Sequence, residues 1–349
     1  MKKTVAIIIP TLNRADFIIR TIQYYISIEC KHPIFIGDAS NSSLEDVILK
    51  IVDNRIDVHY FHWKGLSDRK TMLRLAEESA KNFDFCAFHG DDDYFIPDSL
   101  SKCAAFLDKN SSYATAQGKA VLFALNQTGA YGTIKFLDVY WGRKELLGIS
   151  ALDRLLEITK EYWVPNFSVH RTHDFIEDMS YGVDTIMDRN LGECINSVTM
   201  AMRGRSKYID CLYLVRNVHD GIDHPSRFVW LTSPQWRPSF DALSVILSQL
   251  LSKMDGIPMP KSSTLVKHAL FDHFRMEKNQ SMSIKLYIKL LLRDVYKVEI
   301  IEKLFLILHR YIEIIFSCDD ELKLECIKLK KSKYYEEFQP ILHSLIKRP

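Results

Sequence analysis

The chain alternates between short apolar runs and longer segments with helical spacing. "VAIII" (5–9) is a continuous apolar run, the mark of a strand buried on both faces. Apolar positions over 15–28 recur at the spacing of one helix face. The same pair of patterns then repeats. "PIFIGD" (33–38) precedes a helix over 43–52, "DVHYFHW" (57–63) one over 68–81, and "DFCAFHG" (84–90) one over 98–108. Strands alternating with helices of about 10–15 residues predict β-α-β units and a mostly parallel sheet. In "IPDSLSKCAAFL", Asp98 follows Pro97 as a candidate helix cap.

The middle of the chain, about 112–235, is mixed. "KAVLFAL" (119–125) and "TIKFLDVY" (133–140) read as strands, "SALDRLLEIT" (150–159) and 190–203 as helices, and 207–219 as one or two strands. From about 239 the pattern is helical to the end. The Pro-containing "SPQWRPS" (233–239) marks a boundary between a first domain, 1–235, and an all-α region, 236–349.

Composition narrows the picture. With 349 residues, 47% of them hydrophobic, the chain can bury a sizeable core. A net charge of +2 gives no global basic field, so nucleic acid is not an expected partner. Seven scattered cysteines without metal-type pairing read as reduced thiols in the cytosol. The apolar run near the N-terminus is short and ends at Pro10, which suits a first strand rather than a signal peptide. "IIEKLFLILHRYIEIIF" (300–316) carries five ionisable residues and reads as an amphipathic core helix, not a bilayer span. The lysine-rich "KLKKSKYY" (328–335) reads as a solvated face.

The chemistry gathers where strands end. Asp91, Asp92 and Asp93 follow the apolar run that closes at Phe88. Adjacent carboxylates repel, and a hard divalent cation relieves that repulsion through oxygen ligands. The alternative is a solvated acidic turn ahead of the next helix. Other strand ends are polar too: Thr11, Asn13 and Arg14 after the first, Asp38 after the second, and Asp68, Arg69 and Lys70 after the third. In an open α/β sheet these ends converge on one edge, where ligands bind. Together they offer acceptors for a base or ribose and cations for a diphosphate. There is no G-x-G-x-x-G and no P-loop lysine motif.

Taken in order, "VAIIIPTLNR", "IFIGDAS", "GLSDRK" and "CAFHGDDDYFIP" resemble the nucleotide-sugar-binding half of inverting GT-A glycosyltransferases of the family-2-like group. The resemblance is to a bacterial branch found in surface-polysaccharide clusters, with a DDD form of the DxD motif, and covers roughly residues 1–225. It implies a Rossmann-like GT-A domain and a Mn²⁺ or Mg²⁺ cofactor. It implies a nucleotide-sugar donor and a glycan or lipid-linked glycan acceptor, handled in the cytoplasm or at the inner face of the cell membrane. Asp92, five residues before Pro97, matches the metal ligand. Asp91 falls near the ribose or the metal's water shell, with Gly90 where the first acid of D-x-D usually stands. Asp93 falls near a sugar or caps the turn. Thr11 and Asp38 match ribose and base contacts, and Arg69 or Lys70 the diphosphate contact.

The resemblance also implies a carboxylate base and a later histidine on the metal. Glu193 matches the base, with Cys194 where an aspartate is common; Asp188 and Asp184 are substitutes. His219, 26 residues further on, matches the histidine, with His224 as fallback. His170 and Arg171 are candidates for the acceptor groove, and Trp141, Tyr162 and Trp163 for stacking on a sugar. The C-terminal helices leave open a partner chain, a homodimer or a membrane contact. Two other readings stand beside this one: a non-catalytic scaffold that keeps the nucleotide fold, and a sugar-phosphate nucleotidyltransferase. The second lacks the Gly-rich loop it needs after the first strand.

Overall fold

The computed structural model describes residues 3–141, 143–219, 230–281 and 334–346. Its centre is a nine-stranded sheet. The strands are β1 (Ala6–Thr11), β2 (Ile34–Asp38), β3 (Val58–His62), β4 (Phe85–Phe88), β5 (Tyr94–Phe95), β6 (Tyr113–Leu125), β7 (Ile134–Trp141), β8 (Val169–Arg171) and β9 (Arg205–Val218). Their order is β3-β2-β1-β4-β8-β6-β9-β5, with β7 paired to β6. The pairings leave β1, β2, β3, β4, β6 and β9 pointing one way and β5, β7 and β8 the other. This is the α/β, mostly parallel arrangement expected of a GT-A sheet.

The β1 run explains the two layers. Successive strand side chains point to opposite faces. Val5, Ile7 and Ile9 enter one core cluster, and Ala6 and Ile8 the other. The first cluster is covered by α1 (Ala15–Ser27), through Ile18, Ile22 and Tyr25, and by α2 (Glu45–Val52). The second is covered by α3 (Asp68–Ala80) and α6 (Thr172–Ser180), through Met72, Leu75, Phe175 and Met179. Such a strand has no solvated face, so its sequence is apolar throughout.

Helix starts follow local rules. In α4 (Pro97–Lys109), Ile96 is the cap, Pro97 takes the first helical position and Asp98 lies inside the first turn, two places later than the cap. In α5 (Ala151–Lys160), Ser150 and Asp153 form a capping box. In α7 (Arg189–Arg203), Asp188 caps the helix by accepting from Leu191 N at 2.9 Å. Glu193 is therefore in the second turn.

The short strand β8, which carries His170 and Arg171, is internal to the sheet. It sits between β4 and β6. His170 is buried there and donates from Nε2 to Pro165 O at 3.1 Å, while burial pushes its pKa down to about 4. Arg171 donates to the carbonyls of Tyr113, Leu107 and Asn110. Both residues build the sheet and the end of α4 rather than line a groove.

Beyond residue 235 come α8 (Trp236–Asp255), α9 (Met259–Ser281) and α10 (Tyr335–Ser344). Leu243, Leu247, Leu251, Val266 and Leu270 join the same apolar cluster as β1. So do Phe338 and Ile341 of α10, which packs on α1. Ser344 Oγ donates to Tyr94 OH at 3.2 Å, and Gly132 N to Leu345 O at 2.9 Å. The core is thus continuous across the expected boundary. Among the described residues no disulfide forms and no helix is long and apolar enough to cross a membrane. The 300–316 segment and most of the lysine-rich stretch lie outside them.

Candidate nucleotide-sugar site

The parallel register brings Thr11 and Asp38 side by side at the ends of β1 and β2. Gly90 to Asp93 follow the end of β4, which pairs with β1. Four polar strand ends on one edge were the basis of the sequence reading, and three of them meet here.

The acidic turn is buried and held from several sides. Asp91, Asp92 and Asp93 are 3%, 7% and 1% exposed, so each must be satisfied by protein groups. Thr11 Oγ1 donates to Asp91 Oδ2 at 2.6 Å, and Arg14 approaches Asp91 Oδ1 at 3.0 Å. Arg14 also donates to Asp92 Oδ2 at 2.7 Å, and His219 Nε2 stands 2.9 Å from that same oxygen. Asp93 turns the other way. Its two oxygens accept from Arg216 Nε at 3.0 Å and Asn217 N at 3.1 Å, both on β9. Asp93 therefore anchors the turn to the sheet.

Helix α1 grips the backbone of the turn. Thr21 Oγ1 donates to Asp91 O at 2.7 Å and Arg20 to Asp92 O at 2.8 Å. Arg20 is fully buried and also donates to Asn217 Oδ1 and Ala130 O. Beneath the turn, His89 donates from Nδ1 to Gly90 O at 2.6 Å and accepts at Nε2 from the Tyr25 hydroxyl at 2.7 Å. A side chain at Gly90 would place its Cβ 2.8 Å from Asp92 Oδ1, so glycine leaves room for that carboxylate.

These surroundings separate the three acids. Burial, then the charge of Asp92, pushes Asp91 above the usual carboxylate range, and burial does the same to Asp93. Burial opposes the charge on Asp92 as well, but His219 and Arg14 hold its carboxyl well below that range. Asp92 is the firm anion of a coupled trio.

Asp92 Oδ2 and His219 Nε2 fit a divalent ion. Their 2.9 Å separation is that of two neighbouring ligands in an octahedron, with bonds of about 2.1 Å. Among the described residues no third carboxylate, histidine or cysteine completes a cage. Two protein ligands suit an ion that keeps water and takes phosphate oxygens.

The end of β2 is built around Asp38. It is buried, with Ser40 N donating to Oδ1 at 2.8 Å and the Tyr60 hydroxyl to Oδ2. Asn13 adopts a left-handed backbone (φ 55) and its N–H donates to Ser40 Oγ at 2.7 Å, closing the loop after β1 onto the loop after β2.

The third strand end is used differently. Arg69 donates to the carbonyls of Tyr181, Gly182 and Ile186 and to Asn196 Oδ1. It clasps the segment before α7 and is not turned toward the acidic turn. Lys70 pairs with Asp184 at 2.7 Å.

Glu193 is exposed on α7, and the Tyr162 hydroxyl lies 3.4 Å from its Oε1. It is electrostatically coupled to Tyr140, whose ring lies 4.7 Å from the Arg216 guanidinium carbon. Arg216 in turn pairs with Asp93 of the acidic turn. Asp188 is differently engaged: besides its cap it accepts from Trp230 Nε1. Cys194 is buried, so the thiol and Glu193 face different ways. Trp163 is in the core, and His224 lies outside the described residues.

Sequence reasoning missed Arg20, Tyr25, Tyr60 and Arg216. Two of them left a trace. Arg20 and Thr21 interrupt the apolar stripe of α1, and Arg216 interrupts the apolar run of β9. A cavity of about 590 Å³ between α1, α2 and α10 shares no residue with the strand-end site.

The glycosyl transferase family 2 model matches residues 6–131, from β1 to the loop after β6. No curated protein matches the sequence. Among solved structures, TarS of S. aureus is similar at 15% identity and TM-score 0.50, over 78% of this chain and 43% of that one. This chain therefore spans less than half the length of that TarS chain. TarS 1–349 in complex with UDP-GlcNAc is similar at 14% identity and TM-score 0.51, over 78% and 73%. TarS 1–349 alone gives 13% identity and TM-score 0.50, over 98% and 81%. At such identities the likeness is one of fold. Residues 6–131 match the glycosyl transferase family 2 model, and the chain as a whole is similar in fold to TarS.

Proposed function

We propose that the protein is a metal-dependent inverting glycosyltransferase that moves a sugar from a nucleotide-sugar donor to a glycan acceptor of a bacterial surface polysaccharide. The observation that carries this reading is the convergence of Thr11, Asp38, Asp92 and His219 on one sheet edge, the first three within the residues that match the family 2 model. Asp38 and Thr11 sit where the base and ribose of the donor lie. Asp92 and His219 would hold the divalent cation, Mn²⁺ or Mg²⁺. When bound, that cation neutralises charge on the leaving diphosphate.

Inversion needs attack from the face opposite the leaving group. Glu193 accepts the proton of the acceptor hydroxyl as its oxygen bonds to the anomeric carbon. The bond from that carbon to the diphosphate breaks in the same step, and the nucleotide leaves with the electron pair. The scaffold reading rests on Cys194, and a buried thiol beside an exposed Glu193 takes little from the carboxylate.

The test is a thermal-shift screen with UDP-, GDP-, CMP- and dTDP-linked sugars, with and without Mn²⁺. One donor family should raise the melting temperature in a metal-dependent way. Turnover of that donor, with the anomeric configuration read by NMR, should then give inversion. No shift by any of them with Mn²⁺ present overturns the assignment.

A further inference from the structure

The pair of donors proposed to hold a divalent ion already faces a cation of the protein's own. Arg14 Nη2 is 2.7 Å from Asp92 Oδ2 and 2.9 Å from His219 Nε2, while Nη1 is 3.0 Å from Asp91 Oδ1. Two cations cannot share that point. An arginine does not deprotonate in proteins, so it yields the position only by moving.

Arg14 is built to move, and the neighbouring arginines are not. It precedes the first turn of α1, its side chain is 31% exposed, and it rests on the Phe17 ring at 4.2 Å. Arg216 lies between the rings of Tyr140 and Phe167, and Arg20 is fully buried. A diphosphate offers a displaced guanidinium two anionic oxygens in place of the two carboxylate oxygens that it leaves behind.

We propose that Arg14 is an exchangeable counter-ion: it competes with the divalent cation for Asp92, so the cation binds tightly only when a nucleotide diphosphate receives the displaced guanidinium. The proposal rests on the metal-site reading above. It makes metal entry depend on the donor and gives Arg14 a role in the order of binding.

Equilibrium dialysis of Mn²⁺ against the full chain, without nucleotide, is the decisive comparison. Arg14→Met keeps the contact with Phe17 and removes the charge; Arg14→Gln serves if the first variant fails to fold. Either should bind Mn²⁺ about ten- to a hundredfold more tightly than wild type. Arg14→Lys should fall between. Adding Asp92→Asn to Arg14→Met should abolish the gain, and adding UDP or GDP should narrow the gap between wild type and Arg14→Met. Equal Mn²⁺ affinity in wild type and Arg14→Met overturns the exchange while leaving the metal site standing. Absence of Mn²⁺ binding in every protein, with UDP or GDP present, overturns the metal site and the exchange together.

Discussion

Asp92 and His219 stand 2.9 Å apart, although 127 residues separate them in sequence. One follows β4 and the other follows β9, so only the completed sheet makes the pair. Replacing Asp92 with Ala should lower turnover by about 10²–10³. Replacing His219 with Ala should lower it by about 10–100-fold, with a higher Mn²⁺ requirement. Turnover measured across a Mn²⁺ series checks both. Wild-type activity in Asp92→Ala would remove this pair from the mechanism.

Glu193 and Asp188 share a helix and should fail in different ways. Glu193→Gln should cut kcat by about 10²–10⁴, abolish its acid limb and leave donor binding unchanged. Asp188→Ala removes the cap of α7 and the partner of Trp230. It should cost about 1–2 kcal/mol in chemical denaturation with kcat largely kept. The opposite pattern would move the base from Glu193 to Asp188.

Arg216 and Asp93 form a buried pair, with Arg216 Nε and Asp93 Oδ2 at 3.0 Å. Arg216→Met leaves the carboxylate without its counter-charge and should cost about 3–5 kcal/mol in urea denaturation. Adding Asp93→Asn should recover part of that loss. If the double variant is no more stable than the single one, Asp93 has another partner.

His170 gives the fold a pH dependence whose sign follows from burial. Its pKa falls from 6.5 to about 4 in the folded chain. The unfolded chain binds the proton first, so stability is fully present above about pH 6.5 and falls as pH drops toward 4. The slope from this residue is about 1.4 kcal/mol per pH unit within that window. His170→Gln keeps a donor for the Pro165 carbonyl and does not titrate. Denaturation of both proteins at several pH values should give a shallower acid loss for the variant.

The strands and helices of the first hundred residues were legible because each is a local pattern. "VAIII" needs no partner to announce a strand buried on two faces, and the loops after β1, β2 and β4 fall on one edge once the strands are parallel. The roles of Arg69, His170 and Arg171 were not legible. Each depends on a partner far along the chain: Arg69 on the segment at 181–186, and the other two on the insertion of β8 between β4 and β6. The support of the acidic turn by Arg20 was hidden for the same reason, since its partners at 92, 130 and 217 lie in three separate segments. Sequence showed which groups carry charge at strand ends, and tertiary contact decided which of them meet at the acidic turn.

The seating of α10 on α1 bears on how the protein can be handled. Ser344 reaches the Tyr94 hydroxyl, and Tyr94 is the next residue after Asp93. A fragment stopped at 235 would strip the cover that α10 gives α1 and Tyr94 and leave an oily wound directly behind the acidic turn. Truncation, tagging or proteolysis around 335–346 would accordingly be felt at Asp91–Asp93, as if the far end of the polypeptide were a wedge driven under that turn.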